Sequence, residues 1–134
     1  MKILLMAGVL AAAAPDPRAA FLGTWRGTST CVDRARHPAC ADEVVIYEVR
    51  EKPGDNRAVL LKADKVVEGK VLPMGEMEFT YDDSRGEWLS EFQNARVHIL
   101  WSFVVDGRKI EGTLVDLPDG ALVRRVAVEK GSKR

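Results

Sequence analysis

The sequence predicts an all-β domain: a single antiparallel up-and-down β-barrel of about eight strands. Three observations carry that expectation. Apolar and polar residues alternate with period two in segment after segment, as in Met77, Phe79 and Tyr81 against Glu76, Glu78 and Thr80. Short turn-forming clusters separate those segments, among them Pro53-Gly54-Asp55-Asn56, Asp82-Asp83-Ser84-Arg85-Gly86 and Asp106-Gly107. No segment carries a sustained helical period, and there is no internal repeat.

The chain has 134 residues, which suits one domain. Met1-Lys2 precedes an apolar run from Ile3 to Ala14, followed by Pro15. One charge, an apolar stretch and small residues at its end form the pattern of a secretory signal peptide. The predicted division is a signal peptide over 1–13, a linker over 14–20 and the barrel domain over 21–130. The cut is placed after Ala13 because a cut after Ala14 would set Pro15 beside the scissile bond. The run of roughly twelve residues is short of the about 20 that a membrane span needs, so membrane insertion is not expected. The expected location is the periplasm or the exterior.

Export makes the two cysteines readable. Cys31 and Cys40 lie in Cys-Val-Asp-Arg-Ala-Arg-His-Pro-Ala-Cys between two predicted strands. In an oxidising compartment such a pair reads as a disulfide. The rival is a metal site of Cys31, His37 and Cys40, which lacks a fourth ligand at a familiar spacing, His98 being the only other histidine. Twenty basic and twenty acidic residues cancel, and no basic stripe with interleaved aromatics suggests nucleic acid. Lys130, Lys133 and Arg134 make a basic end that reads as a frayed tail.

The first strand, from Phe21 to Thr28, sets Phe21, Gly23, Trp25 and Gly27 on one face. The second, Glu43 to Arg50, directs Val45, Tyr47 and Val49 to one side. The third spans about Ala58 to Glu68, with Val59, Leu61, Ala63 and Val67 sharing a face with Lys65. Pro73 and Gly75 are expected to punctuate the connection to the fourth strand. The fifth places Trp88, Ser90 and Phe92 together. Asp106-Gly107 suits a two-residue turn pairing Val105 with Arg108, Phe103 with Ile110, Trp101 with Gly112 and Ile99 with Leu114. Leu117-Pro118-Asp119-Gly120-Ala121 is the last turn. A three-residue loop there pairs Leu117 with Ala121, sends Leu122, Arg124, Val126 and Val128 inward and leaves Arg125 outside. A two-residue loop would exchange the two arginines.

Gly23-Thr24-Trp25, with a basic residue on the closing strand, resembles the signature of the calycins: lipocalins, fatty-acid-binding proteins and avidins. Phe21-Leu22-Gly23-Thr24-Trp25-Arg26 is especially similar to the first strand of fatty-acid-binding proteins. The resemblance implies a lipocalin-like barrel in which a basic side chain packs across Trp25, matched by Arg124 or alternatively Arg125. The chain departs from the pattern in places. Cys31 to Ala41 is too short for a helix-turn-helix lid, Val105-Asp106-Gly107-Arg108 lacks the Thr-Asp-Tyr element of kernel lipocalins, and no long helix follows the last strand.

The interior of such a barrel is either filled by side chains or holds one small ligand. The candidate ligand-binding residues are Trp25, Tyr47, Phe79, Trp88, Ser90, Trp101, Phe103 and Arg124. An inward Arg124 needs a carboxylate, either Asp116 or a bound acidic ligand, unless it stacks on Trp25. Glu76, Glu78, Glu87 and Glu91 fall on outward faces, and His98 lies away from Ser90 and Ser102. No catalytic constellation, cofactor motif or phosphate loop is present, and no enzyme is expected. The function expected is that of an exported binding protein for a small apolar or amphipathic ligand. The alternative is a loop-mediated protein-binding module, such as a periplasmic hydrolase inhibitor, using Arg34, Arg36 and His37.

Overall fold

The computed structural model describes residues 16–131. The expected signal peptide lies outside them. A turn of helix, α1 (Arg18–Phe21), leads into eight strands: β1 (Gly23–Cys31), β2 (Glu43–Glu51), β3 (Ala58–Val67), β4 (Lys70–Asp82), β5 (Glu87–Gln93), β6 (His98–Asp106), β7 (Lys109–Asp116) and β8 (Leu122–Lys130). Each pairs antiparallel with its successor, and β8 returns to β1 to close the barrel. Closure satisfies the outer edges that an open sheet would leave free.

The inner face follows the alternation of the sequence. Trp25 lies opposite Tyr47 and Lys130, and Gly27 opposite Val45 and Val128. Gly27 marks the tightest crossing: a Cβ there would sit 2.0 Å from the Ala127 carbonyl oxygen. Val59, Leu61 and Phe79 are fully buried, as are Trp25 and Phe103.

Four details differ from expectation. Phe21 belongs to α1 rather than to the first strand. It folds under the barrel, its ring 5.0 Å from Trp88 and 6.0 Å from Phe79, and plugs the floor.

The β3–β4 turn is Glu68-Gly69, with φ of 51° and 76°. Two successive positive φ angles are what a type I′ hairpin turn requires. Pro73, Met74 and Gly75 instead sit within a long β4, where the register slips opposite Ala63 and Asp64. A bulge tolerates proline because its missing donor falls where the ladder is already interrupted.

The β6–β7 turn is centred on Gly107-Arg108, so Asp106 pairs with Lys109, Phe103 with Gly112, and Trp101 with Leu114. Gly107, at φ 58°, takes the first central position, where a type II′ turn wants glycine. The shift of two residues keeps every face, since side chains repeat every two. It gives the space over Gly112 to Phe103: a Cβ there would meet that ring at 2.4 Å.

At β7–β8 the ladder ends at Val115 opposite Leu122, with a register shift beside Leu114, instead of at Leu117 opposite Ala121. The irregularity buries Val123 and leaves Leu122 half-buried. Arg124 does face inward, beside Leu114, and Arg125 outward.

Candidate functional site

The barrel interior divides into a filled floor and an open upper half. Trp25, Phe79, Trp88 and Phe103 join Phe21 in the floor, with Phe79 and Phe103 ring centroids 4.7 Å apart. Of the expected ligand-binding set, these four are packed core. Their burial removes large apolar areas from water, which is why aromatics dominate so small a core.

Above them lies a cavity of about 240 Å³. From the expected set Tyr47, Trp101 and Arg124 line it, together with Ser29, Glu43 and Met77. Ser90 is not part of this cavity. It lies opposite Trp101 and borders a groove between β4 and β5. Phe92, expected on the face of Trp88 and Ser90, is 52% exposed, since the β4–β5 ladder stops at Leu89.

The polar end of the cavity is built around Arg124. Its Nη1 donates to Ser29 Oγ at 3.1 Å and to the Ser29 carbonyl at 3.3 Å; its Nη2 donates to the Ala41 carbonyl at 2.8 Å. Glu43 Oε1 lies 3.2 Å from Nη1. Both side chains are mostly shielded, so this pair is less screened than a surface one. The carboxylate that Arg124 requires is therefore Glu43. Asp116 is engaged elsewhere, and Arg124 does not stack on Trp25. The cation over the Trp25 ring is Lys130, with Nζ 5.5 Å from the centroid, while the indole Nε1 donates to the Phe21 carbonyl at 2.9 Å.

Ser29 and Glu43, absent from the expected set, do carry a signal in the alternation. Ser29 continues the inward series of Trp25 and Gly27, and Glu43 that of Val45 and Tyr47. Met77 shares the inward alternation of Phe79 and Tyr81, whereas Met74 enters only through the bulge. Tyr47 stands beside the pair, its phenol pushed well above the ordinary range first by burial and then by the Glu43 carboxylate, with Arg124 acting the other way. It is a neutral hydroxyl at any physiological pH.

Cys31 and Cys40 are disulfide-bonded, with Cα atoms 6.1 Å apart. Their loop is tied down: His37 Nε2 lies 2.9 Å from Asp116 Oδ2, Arg36 Nη2 donates to Asp119 Oδ2 at 2.9 Å, and Arg34 meets Asp42 at 3.1 Å. The three side chains of the expected basic finger thus face carboxylates of their own chain. Among the described residues no helix is long and apolar enough to cross a membrane.

No protein-family model matches the chain, and no curated protein matches it by sequence. Among solved structures it is similar to fatty-acid-binding protein 1 of Echinococcus granulosus, at 15% sequence identity and a TM-score of 0.57. The match covers 85% of this chain and 99% of that one. At that identity the likeness is one of fold: this chain is a calycin-like, eight-stranded closed barrel.

Proposed function

We propose that the protein is an exported, non-enzymatic binder of a small amphipathic molecule. The apolar part of the ligand rests on Trp101, Ala63, Met74 and Met77, and its head meets Arg124, Glu43 and Tyr47. The observation that carries this reading is the pairing of a walled apolar space with one polar end inside a barrel whose floor is already filled. Ligand sites of this kind are mostly apolar, with few convergent polar groups. The fold is shared with a fatty-acid-binding protein, which supports a lipid-like ligand. The apolar Met1–Ala14 run and the disulfide support export, because disulfides persist in oxidising compartments.

The Arg124–Glu43 pair bears on the head group. A carboxylate entering the cavity would approach Glu43 as well as Arg124, and like charges oppose each other strongly away from water. A neutral head that both donates and accepts, such as a glycerol or an amide, satisfies both partners. Titration of intrinsic tryptophan fluorescence with monoacylglycerols tests the reading, because Trp101 lines the cavity. Arg124→Ala is expected to weaken binding by about tenfold or more, the loss of a charged hydrogen bond. Arg125→Ala, outside the barrel, is expected to leave it unchanged. Absence of any spectral shift with apolar or amphipathic probes would rule the function out.

A further inference from the structure

The cavity and the groove between β4 and β5 share a wall. The β4–β5 ladder holds only three pairs, from Asp82 opposite Glu87 to Thr80 opposite Leu89. Beyond it, β4 continues back to Lys70 and β5 on to Gln93 with no register between them. The groove in this split has a volume of about 430 Å³, and its lining includes Phe92 and Ile99, which pair two residues beyond Ser90 and Trp101 on the β5–β6 ladder. Glu76, Met77 and Trp101 line both spaces. Where the ladder is missing, the partition between inside and outside is made of side chains. Met77 is unbranched and has three rotatable bonds, so it can swing aside at little cost. The outward Glu76 and Glu78 are held by Arg50 and Lys52. At about 240 Å³ the cavity alone is smaller than ordinary ligand pockets of roughly 300–1,000 Å³.

We infer that the binding site continues through the split: the ligand's alkyl chain passes Met77 and lays its distal methylenes against Phe92 and Ile99. This rests on the binding function proposed above. The occupant is a hydrocarbon chain because Met77, Trp101, Phe92 and Ile99 give the groove an apolar strip that starts at the cavity, although its remaining lining is mostly polar, with Glu76, Glu78 and Glu91. Phe92 then acts as the distal contact that sets chain-length preference. Its exposure at the end of β5 leaves it free to cover a chain.

The test compares octanoyl-glycerol with palmitoyl-glycerol, both below their micelle concentrations, by displacement of an apolar fluorophore from the full chain. Palmitoyl-glycerol should bind at least about tenfold tighter, since each two further methylenes removed from water are worth about tenfold. Phe92→Glu, a change at an exposed position, should cut that ratio to about threefold or less by weakening the long ligand alone. Ile99→Glu should act in the same direction. Equal affinities in the unaltered protein, or a ratio preserved in both variants, would overturn the extension while leaving the inner site standing. If neither ligand binds, the binding function falls and the extension with it.

Discussion

Trp25 is fully buried and held three ways: by its hydrogen bond to the Phe21 carbonyl, by Lys130 over its ring, and by neighbours on β2 and β8. Trp25→Ala should cost about 3–5 kcal/mol, the range for emptying a large aromatic site. Arg26→Ala, on the outer face, should cost under about 1 kcal/mol. Lys130→Ala should fall near the lower figure, since an accessible cation–π contact is worth about 0.5–1 kcal/mol. Urea melts of the three variants check the order, and comparable losses at Trp25 and Arg26 would contradict the facing of β1. At the polar end, Glu43→Gln removes the charge that shields Arg124. Binding of medium-chain fatty acids is expected to tighten about tenfold, while monoacylglycerols change less. Paired titrations of the two ligand classes read this directly.

Among the elements, the disulfide loop and the β7–β8 turn act as one unit. Asp119 is held below the ordinary carboxylate value of 3.8 first by its hydrogen bond from Arg36, then by the Ala121 amide. A carboxylate lowered in the folded state adds stability above its unfolded value and loses it as pH falls through the lowered one. The loop should therefore stay anchored at neutral pH and loosen in acid. Amide exchange at residues 33–40, followed from neutral pH down past the usual carboxylate range, is expected to quicken relative to the barrel strands. Replacing both cysteines with serine should cost about 2–3 kcal/mol in the same protein by the chain-entropy model. Period-two alternation made these strands legible, since it records only which side a residue faces. It does not record where ladders slip. In the sequence the bulge at Pro73-Met74-Gly75 therefore looks like a connection, and the alternation fits a turn at Asp106-Gly107 as well as the observed one at Gly107-Arg108. The turn shift leaves the faces intact, whereas the bulge brings Met74 to the cavity; Tyr47, Trp101 and Arg124 face inward as the alternation predicts. Which of the inward residues fill the floor and which line a cavity depends on height along the barrel. Height follows from Phe21 folding underneath, and no local pattern in the sequence marks that.

For the whole molecule, the final ladder joins the first strand to the last, with Trp25 opposite Lys130 and Cys31 opposite Arg124. It closes at Gly27, where backbone meets backbone too tightly for any side chain. Gly27→Val should therefore prevent closure rather than merely weaken it, giving a species that binds hydrophobic dyes and self-associates in light scattering. The order of synthesis follows from the same seam. While β8 is still unmade, β1 and β7 are two bare strand edges, each able to pair with another copy. Such contacts between distant parts of a chain also form slowly. A chain stopped before Leu122 would keep those edges for good, so it should be found in aggregates or bound to holding chaperones, whatever the quality of its remaining core.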